Sequence, residues 1–301
     1  MENYVALHYG EMAALFTALC WTVTSLAFES AGKKVGSLSV NWIRLVLAFF
    51  LLGILSFYRK GMFIPFDADA STWFWLSISG LIGFVLGDIL LFQAFIEIGA
   101  RISMLIMSLA PPLAALFGWL ILGEELTLLH FAGMLVTIVG IAIVVLSRKG
   151  NGGKMSLHYP LKGILLALGG AVGQGLGLVI SKLGMHDYDP FLSTQIRIIA
   201  GIAGFSAMVL LARHVRQLGR ALVNIPAMSG IGIGAVFGPF LGVSFSLVAI
   251  QHTTTGVAST IMAIVPVLII VPAVFIRKEN ITFREILGAI VAVAGVSILF
   301  I

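Results

Sequence analysis

Charge is what this sequence has least of. Of its 301 residues only 10% are charged, while 59% are hydrophobic and mean hydropathy is +1.10. An ordinary soluble domain carries roughly 25% charged residues, so the composition excludes a water-soluble fold and points to an integral membrane protein. Cysteine occurs once, at Cys20 inside an apolar run, which excludes an internal disulfide and any multi-cysteine metal site. The six histidines, His8, His130, His158, His186, His214 and His252, are scattered in links or near the ends of apolar runs. His-Glu-x-x-His, a P-loop and G-x-S-x-G are all missing, so no metal, cofactor or enzymatic constellation is expected. Asp187 and Asp189 beside His186 stand just before Pro190, which reads as a helix start rather than a metal site. A basic stretch ahead of the first apolar run is also missing, so no cleavable signal peptide is expected there. The net charge of +5 and a pI near 9.5 do not call for nucleic acid. The basic residues fall in short links between apolar runs, where they act as topology signals.

What the sequence does contain is a copy of itself. Displaced by 155 positions, Gly87–Leu146 lies over Gly242–Ile301 without a gap. Met107 then meets Met262, Pro111 meets Pro266, Glu124 meets Glu279, Thr127 meets Thr282, Gly133 meets Gly288 and Gly140 meets Gly295. A displacement of 153 extends the match upstream, pairing Gly10 with Gly163, Trp21 with Gln174 and Arg44 with Arg197. Leu, Ile and Val coincidences mean little in so apolar a chain; Pro, Glu, Thr and Gly in register mean more. Duplicated membrane halves are a signature of secondary transporters, whose substrate site lies where the repeats meet.

About 20 apolar residues cross a bilayer, and ten segments meet that requirement: 9–31, 38–57, 72–95, 99–122, 127–147, 160–183, 190–212, 226–250, 255–276 and 282–301. Lipid satisfies no backbone hydrogen bond, so these are expected to be helices. The expected fold is therefore an all-α integral membrane protein of ten transmembrane helices, divided into 1–150 and 151–301 at the Gly-rich link 147–159. Five spans per half is odd, so the second half must enter from the opposite face and the repeats are inverted. Thr127 and Thr282 read as caps of the fifth and tenth helices. One face carries thirteen basic residues (Lys33, Lys34, Arg101, Arg148, Lys149, Lys154, Lys162, Arg213, Arg216, Arg220, Arg277, Lys278, Arg284) and the other three (Arg59, Lys60, Lys182). The positive-inside rule would place the first face in the cytoplasm and both termini outside.

Within the spans, Gly230, Gly234, Gly238 and Gly242 stand four apart on one helix face, and Gly169, Gly173 and Gly177 repeat that spacing. Such faces serve tight static packing, or they slide during alternating access. Pro111-Pro112, Pro239, Pro266 and Pro272 interrupt helical hydrogen bonding; matched interruptions such as Pro111 and Pro266 point to a transporter's central site. A charge at the bilayer centre costs about 2.5–3.5 kcal/mol on insertion scales, so each intramembrane charge is a candidate functional group. Arg44 lies about 9 Å into its span at the helical rise per residue, and Asp88 lies at a matching depth. The two are expected to face inward and pair, as a structural ion pair, a gate or a substrate clamp. Arg197 repeats Arg44, but the position matching Asp88 is Val243. This second arginine meets either an anionic substrate group or a carbonyl at a helix end. Trp21 and Gln174 are matched near mid-membrane and suit recognition of a small amphipathic solute, or simple packing. Asn41, Gln93 and Gln195 are weaker polar candidates near helix ends. Glu29 and Lys182 read as snorkelling residues, Glu97 and Arg101 as surface residues of a short turn, and Trp42, Trp73, Trp75 and Tyr58 as interfacial anchors.

Gly87–Leu146, with its mid-span proline, its Gly-Glu-Glu-Leu-Thr turn and the later Gly133 and Gly140, closely resembles the EamA-type repeat of the drug/metabolite transporter superfamily. Trp21 followed by Arg44 resembles the start of the same repeat. The second copy departs from it, with Lys278-Glu279-Asn280-Ile281-Thr282 at the turn and Gln174 in place of tryptophan. The resemblance implies a ten-helix carrier with a central cavity that moves small metabolites such as amino acids. It places Trp21, Ser108, Pro111, Gln174 and Pro266 around that cavity, with Asp88 as the candidate carboxylate. It also implies cytoplasmic termini, opposite to the basic-residue count, so orientation stays open.

The reading that follows is a multi-pass protein of a prokaryotic cell (inner) membrane that exports a small molecule. Its partners are that solute and the lipid bilayer; one chain holds a whole pathway, so a monomer suffices and a dimer is not excluded. An Asp held by Arg is a poor proton carrier near neutral pH, so proton coupling and facilitated transport both stay open. A broad drug exporter or lipid-linked flippase would instead need a wide, laterally open apolar cavity. A structural subunit would have a sealed core.

Overall fold

The computed structural model of the protein describes residues 8–148, 155–253, 255–276 and 278–298. Residues 149–154 of the link, and with them Lys149 and Lys154, lie outside the described residues, as does Arg277. The first half consists of α1 (Tyr9–Val35), α2 (Ser37–Lys60), α3 (Ala70–Gly80), α4 (Asp88–Ile106), α5 (Ala110–Leu122) and α6 (Leu128–Val145). The second consists of α7 (Leu161–Met185), α8 (Pro190–Leu211), α9 (Val215–Leu222), α10 (Ile225–Ala235), α11 (Val243–His252), α12 (Thr255–Met262), α13 (Val265–Leu268), α14 (Ile270–Phe275) and α15 (Phe283–Ile298). Among the described residues, the strands form one short antiparallel ribbon, β1 (Leu146–Arg148) against β2 (Met155–Leu157), which brackets the link.

Seven helical stretches among the described residues are long and apolar enough to cross a membrane. One of them, Ala70–Leu122, runs for 53 residues and is broken at Gly99, whose φ of 80° no helix allows. Register against α7 shows that the chain reverses there. Descending from Ile98 to Trp75, the first limb meets Gly163, Gly170, Gly177 and Gly184 in ascending order. The second limb runs alongside α7 in the same sense, from Ala110 at Gly175 to Glu124 at Lys182. Glu29 is only 2% exposed: its carboxylate accepts the Ala100 N–H at 3.0 Å, where the second limb begins, and the Lys33 ammonium at 2.5 Å. This corrects the snorkelling role, because an N–H freed by the break needs an acceptor at membrane depth.

Each half contains a π-helical segment, and the two fall at equivalent positions. Leu81–Gly87 joins α3 to α4, and Val236–Gly242 joins α10 to α11. Each adds a residue to a turn and redirects the side chains that follow, a distortion frequent at functional sites. The sequence pointed to Pro239 in the second segment but to nothing in the first. The matched prolines also mark breaks. Pro111 follows a 3-10 turn at Met107–Leu109, and Pro266 starts α13 just past the end of α12 at Met262.

The halves are joined by contacts that the duplication repeats. Gly238 meets Thr24 and Gly242 meets Trp21; in the other half Gly83 meets Gly177 and Gly87 meets Gln174. A Cβ at Gly177 would stand 2.9 Å from the Gly83 Cα, so the helix backbones touch. Both glycine stripes are therefore packing faces, the Gly230–Gly242 stripe on α1 and the Gly169–Gly177 stripe on the α3–α4 rod. Helices α6 and α15 are themselves equivalents and pack on one another. Gly140 lies against Gly288 and Ala292, while Gly295 lies against Gly133 and Thr137. The register rises along one helix and falls along the other, so equivalent helices run antiparallel about a local two-fold relation.

Two surface features were not foreseen. The link after α8 holds α9, with exposed Arg216 and Arg220 beside exposed Val215 and Leu222, the make-up of an interfacial helix. Trp42 is no interfacial anchor: it packs inside and its Nε1–H donates to Ser206 Oγ at 2.9 Å. Elsewhere, Asp189 accepts the N–H groups of Phe191 and Leu192 at 2.9 and 3.1 Å, so the polar cluster before Pro190 is a helix start. Thr282 accepts the Glu285 N–H at 3.4 Å while Glu285 Oε2 accepts the Thr282 N–H at 2.8 Å, a reciprocal cap.

Two stability measurements test this architecture. Valine at Gly140 or at Gly295 should lower the unfolding midpoint equally, each costing about 1–3 kcal/mol of overpacking, whereas Gly219→Ala, with open space around it, should be neutral or slightly stabilising. A second test uses the link between α2 and α3. Burial acts to raise the Asp67 pKa, but hydrogen bonds from the Tyr188 hydroxyl at 2.5 Å and the Lys60 ammonium at 3.4 Å outweigh it and hold Asp67 below the ordinary carboxylate range. A depressed carboxyl contributes stability above its unfolded pKa of about 3.9 and loses it as pH falls through the lower folded value. Unfolding midpoints of the wild type and Asp67→Asn should therefore differ at neutral pH and converge under acid.

Candidate functional site: a cationic cavity between the halves

Between the two halves lies a cavity of about 160 Å³. Its wall includes Trp21, Arg44, Asp88, Ser108, Pro111, Gln174, Arg197 and Pro266, every residue that the sequence singled out for a cavity or an intramembrane pair. Of the glycine stripe, Gly238 also reaches it. Both members of four of the duplicated pairs named above are present: Trp21 with Gln174, Arg44 with Arg197, Met107 with Met262, and Pro111 with Pro266. The cavity therefore lies on the relation that exchanges the halves.

Arg44, 3% exposed, projects from α2. Its Nη2 donates to Asp88 Oδ2, and its Nε donates to Asn41 Oδ1 at 2.9 Å. Asn41 in turn donates to the Asp88 carbonyl at 3.3 Å and the Ser37 carbonyl at 3.1 Å. The guanidinium lies 4.6 Å from the Phe92 ring centroid, with Phe28 and Phe84 at 5.5 and 5.6 Å. Asp88 begins α4 directly after the π segment. Its second oxygen, Oδ1, accepts from Gln174 Nε2 at 2.5 Å, and Gln174 also reaches the Gly83 carbonyl at 3.3 Å. Both oxygens of the carboxylate are thus engaged, one by each half. Asn41 lies three residues before Arg44, and Phe84 and Phe92 flank Asp88 at four residues on either side. That spacing puts each group on one helix face, so the sequence carried a signal for these partners that went unread.

Arg197 is arranged differently. It is 4% exposed, and its guanidinium stacks on Phe84 at 4.9 Å. Among the described residues its Nε has no acceptor, and the one carboxylate nearby is already held by Arg44 and Gln174. The cavity wall thus holds two arginines and one aspartate. Gly83 makes room for this side chain, since a Cβ there would lie 3.2 Å from Arg197 Nη2. Ser108 Oγ, also buried, has no partner among the described residues.

The two ends of the cavity differ. Towards one face, Arg101 bonds Glu279 at 3.1 Å and Glu285 at 2.8 Å, and the Tyr159 hydroxyl donates to Glu285 at 2.7 Å. Arg101 is therefore not a surface residue; its side chain is 15% exposed and joins the halves. Towards the other face a smaller cavity of about 110 Å³ shares Pro111, Leu178 and Ser259 with the central one and is bordered by Glu124, His130 and Lys182. There Lys182 bonds Glu124 at 2.9 Å.

The EamA-like transporter family model matches residues 8–146 and again 161–301. The chain belongs to that family. An uncharacterized transporter of Archaeoglobus fulgidus is 23% identical over 96% of this chain and 97% of its own length. Uncharacterized transporters of Clostridium kluyveri and Bacillus subtilis are 28% and 26% identical, over 60% and 62% of this chain. Those two matches span only 56% and 58% of the relatives' own lengths. A solved crystal structure, 19% identical, covers 96% of each chain with a TM-score of 0.63, a likeness of fold alone. This EamA-family chain is thus a multi-pass integral membrane protein.

A double-mutant cycle tests the buried pair. Breaking one partner of such a pair costs about 3–5 kcal/mol, while replacing both by apolar groups is often neutral. Arg44→Met and Asp88→Leu should each lower the unfolding midpoint strongly, and the double variant should recover most of the loss.

Proposed function

We propose that this EamA-family protein is a secondary carrier that exports a small polar metabolite, of the size of an amino acid or a related compound, from a prokaryotic cell across its inner membrane by alternating access. The carrier consists of ten spans forming two inverted five-helix units, residues 1–150 and 151–301, which act together as one transport unit. The observation that carries the reading is the cavity bounded by matched residues of both halves. A site on the relation exchanging two inverted units is exposed to one face or the other as the units exchange arrangement. The described arrangement corresponds to closure at the Arg101–Glu279–Glu285 end and approach from the Glu124–Lys182 end. The matched π segments and proline breaks supply the places where the helices bend.

Size argues against the lipid-linked and broad drug-exporter alternatives. A cavity of about 160 Å³ compares with an engineered cavity of roughly 150 Å³ that binds benzene, well below the 300–1,000 Å³ typical of drug-sized ligands. The void itself argues against a purely structural subunit. The hydrogen bonds that Arg44 and Gln174 donate to Asp88 favour facilitated transport, and proton coupling is the alternative that a pH gradient tests.

Counterflow in proteoliposomes, screened with a panel of amino acids and related metabolites, tests the proposal. Uptake should be saturable, should fall at least tenfold when Ser108 or Pro266 is replaced by a bulky Phe, and should be indifferent to an imposed pH gradient. Silence across the panel, together with no efflux difference between deleted and overexpressing cells, would remove the carrier reading.

A further inference from the structure

We infer that Arg197 is the anion-binding group of the cavity, and that the transported solute carries a carboxylate on an apolar or aromatic frame. This deepens the carrier reading and rests on it. The argument starts from charge. Arg44, Asp88 and Arg197 are the charged residues of the wall, so the cavity carries one positive charge in excess. Asp88 cannot neutralise both arginines, because its two oxygens are already taken by Arg44 and Gln174.

A guanidinium offers five N–H donors and no acceptor. Arg197 rests on Phe84 at 4.9 Å, an attraction that stabilises the cation without neutralising it and accepts none of its hydrogen bonds in the plane of the group. Its Nε is buried without an acceptor among the described residues. In the other half the equivalent side chain, Arg44, has protein acceptors for both Nη2 and Nε, in Asp88 and Asn41. The duplication therefore supplies its own control: one arginine is satisfied by the protein, and its equivalent is left for something that enters the cavity. A carboxylate presents two acceptor oxygens at the spacing of the guanidinium fork.

The remainder of the wall sets the rest of the ligand. Trp21, Phe28 and Phe92 make it aromatic, and the unpartnered Ser108 hydroxyl offers one further polar contact. At about 160 Å³ the cavity admits one ring or a short branched chain beside the carboxylate. A cationic solute would meet an excess of its own charge.

The purified full-length protein in lipid nanodiscs is tested by thermal stabilisation with matched probes: benzoate and phenylacetate, each against its neutral amide, with benzylamine as the cation. At least one acid should stabilise the wild type saturably, and its amide should bind at least tenfold more weakly. Arg197→Gln should abolish that preference, and Arg197→Lys should retain part of it. Without ligand, Arg197→Gln should melt at or above the wild-type temperature, since it removes a buried cation that the protein leaves unsatisfied. Equal binding of acids and amides, a preference that survives in Arg197→Gln, no stabilisation by any acid, or collapse of the fold in both variants would each overturn the assignment. Counterflow of the same probes separates the two levels of the reading. Uptake of amides or amines without preference for acids removes the Arg197 site and leaves the carrier standing, whereas no uptake of any probe or metabolite removes the carrier as well.

Discussion

Direct backbone contact between helices, made possible by glycine, is the constraint on which the rest of the structure depends. In lipid, apolar side chains gain nothing by leaving their surroundings, so association rests on close packing and on hydrogen bonds. Here the contact runs along α7 against the α3–α4 rod and is repeated by α1 against α10 and α11. It fixes the π segments, and these set the direction of Phe84, Asp88 and the residues opposite them. A side chain added at Gly83, Gly87, Gly177 or Gly242 would move the wall of the cavity before it disturbed anything else.

On that frame the charged groups are placed with unequal provision. Arg44 is surrounded by a carboxylate, an amide and three aromatic rings, and this dense set of partners makes a charge tolerable at membrane depth. Arg197 receives one ring. The difference follows from the positions around each arginine, where Asn41, Asp88 and Phe92 in the first half are replaced by Thr194, Val243 and Leu247 in the second. Around the ends, ion pairs between the halves take over, half-buried at Arg101 and exposed at Lys182. The Arg101 cluster and the Lys182–Glu124 pair tie helices of opposite halves together where water can screen them.

Much of this was legible in the sequence because lipid simplifies the code. Hydrophobic runs marked where the chain is helical, although the expected spans 72–95 and 99–122 fall in one stretch and 255–276 is divided into three short helices; polar coincidences between the halves marked the cavity. Pairing of Arg44 with Asp88 could be read from equal depth alone. What could not be read was anything decided by a neighbouring helix. No local signal distinguishes Leu81–Gly87 from an α-helix, because the π turn arises where Gly87 must pass Gly173 and Gln174. Glu29 looked like a snorkelling residue because the N–H it accepts is exposed by a reversal at Gly99, some 70 residues later in the chain. Trp42 looked like an anchor because its partner Ser206 belongs to the other half. Single-chain periodicity carries burial but not the identity of a distant partner.

The presence of an acid in only one half has a consequence for energetics. If the two units exchange arrangement during transport, the exchanged state is not a mirror image, since it presents Val243 where Asp88 stood. The empty protein must therefore dwell unequally in its two orientations, and solute arriving from opposite faces will meet different apparent half-saturation. This inequality sets how quickly each side is served; for an uncoupled carrier the sign of net flow still follows the solute's electrochemical gradient.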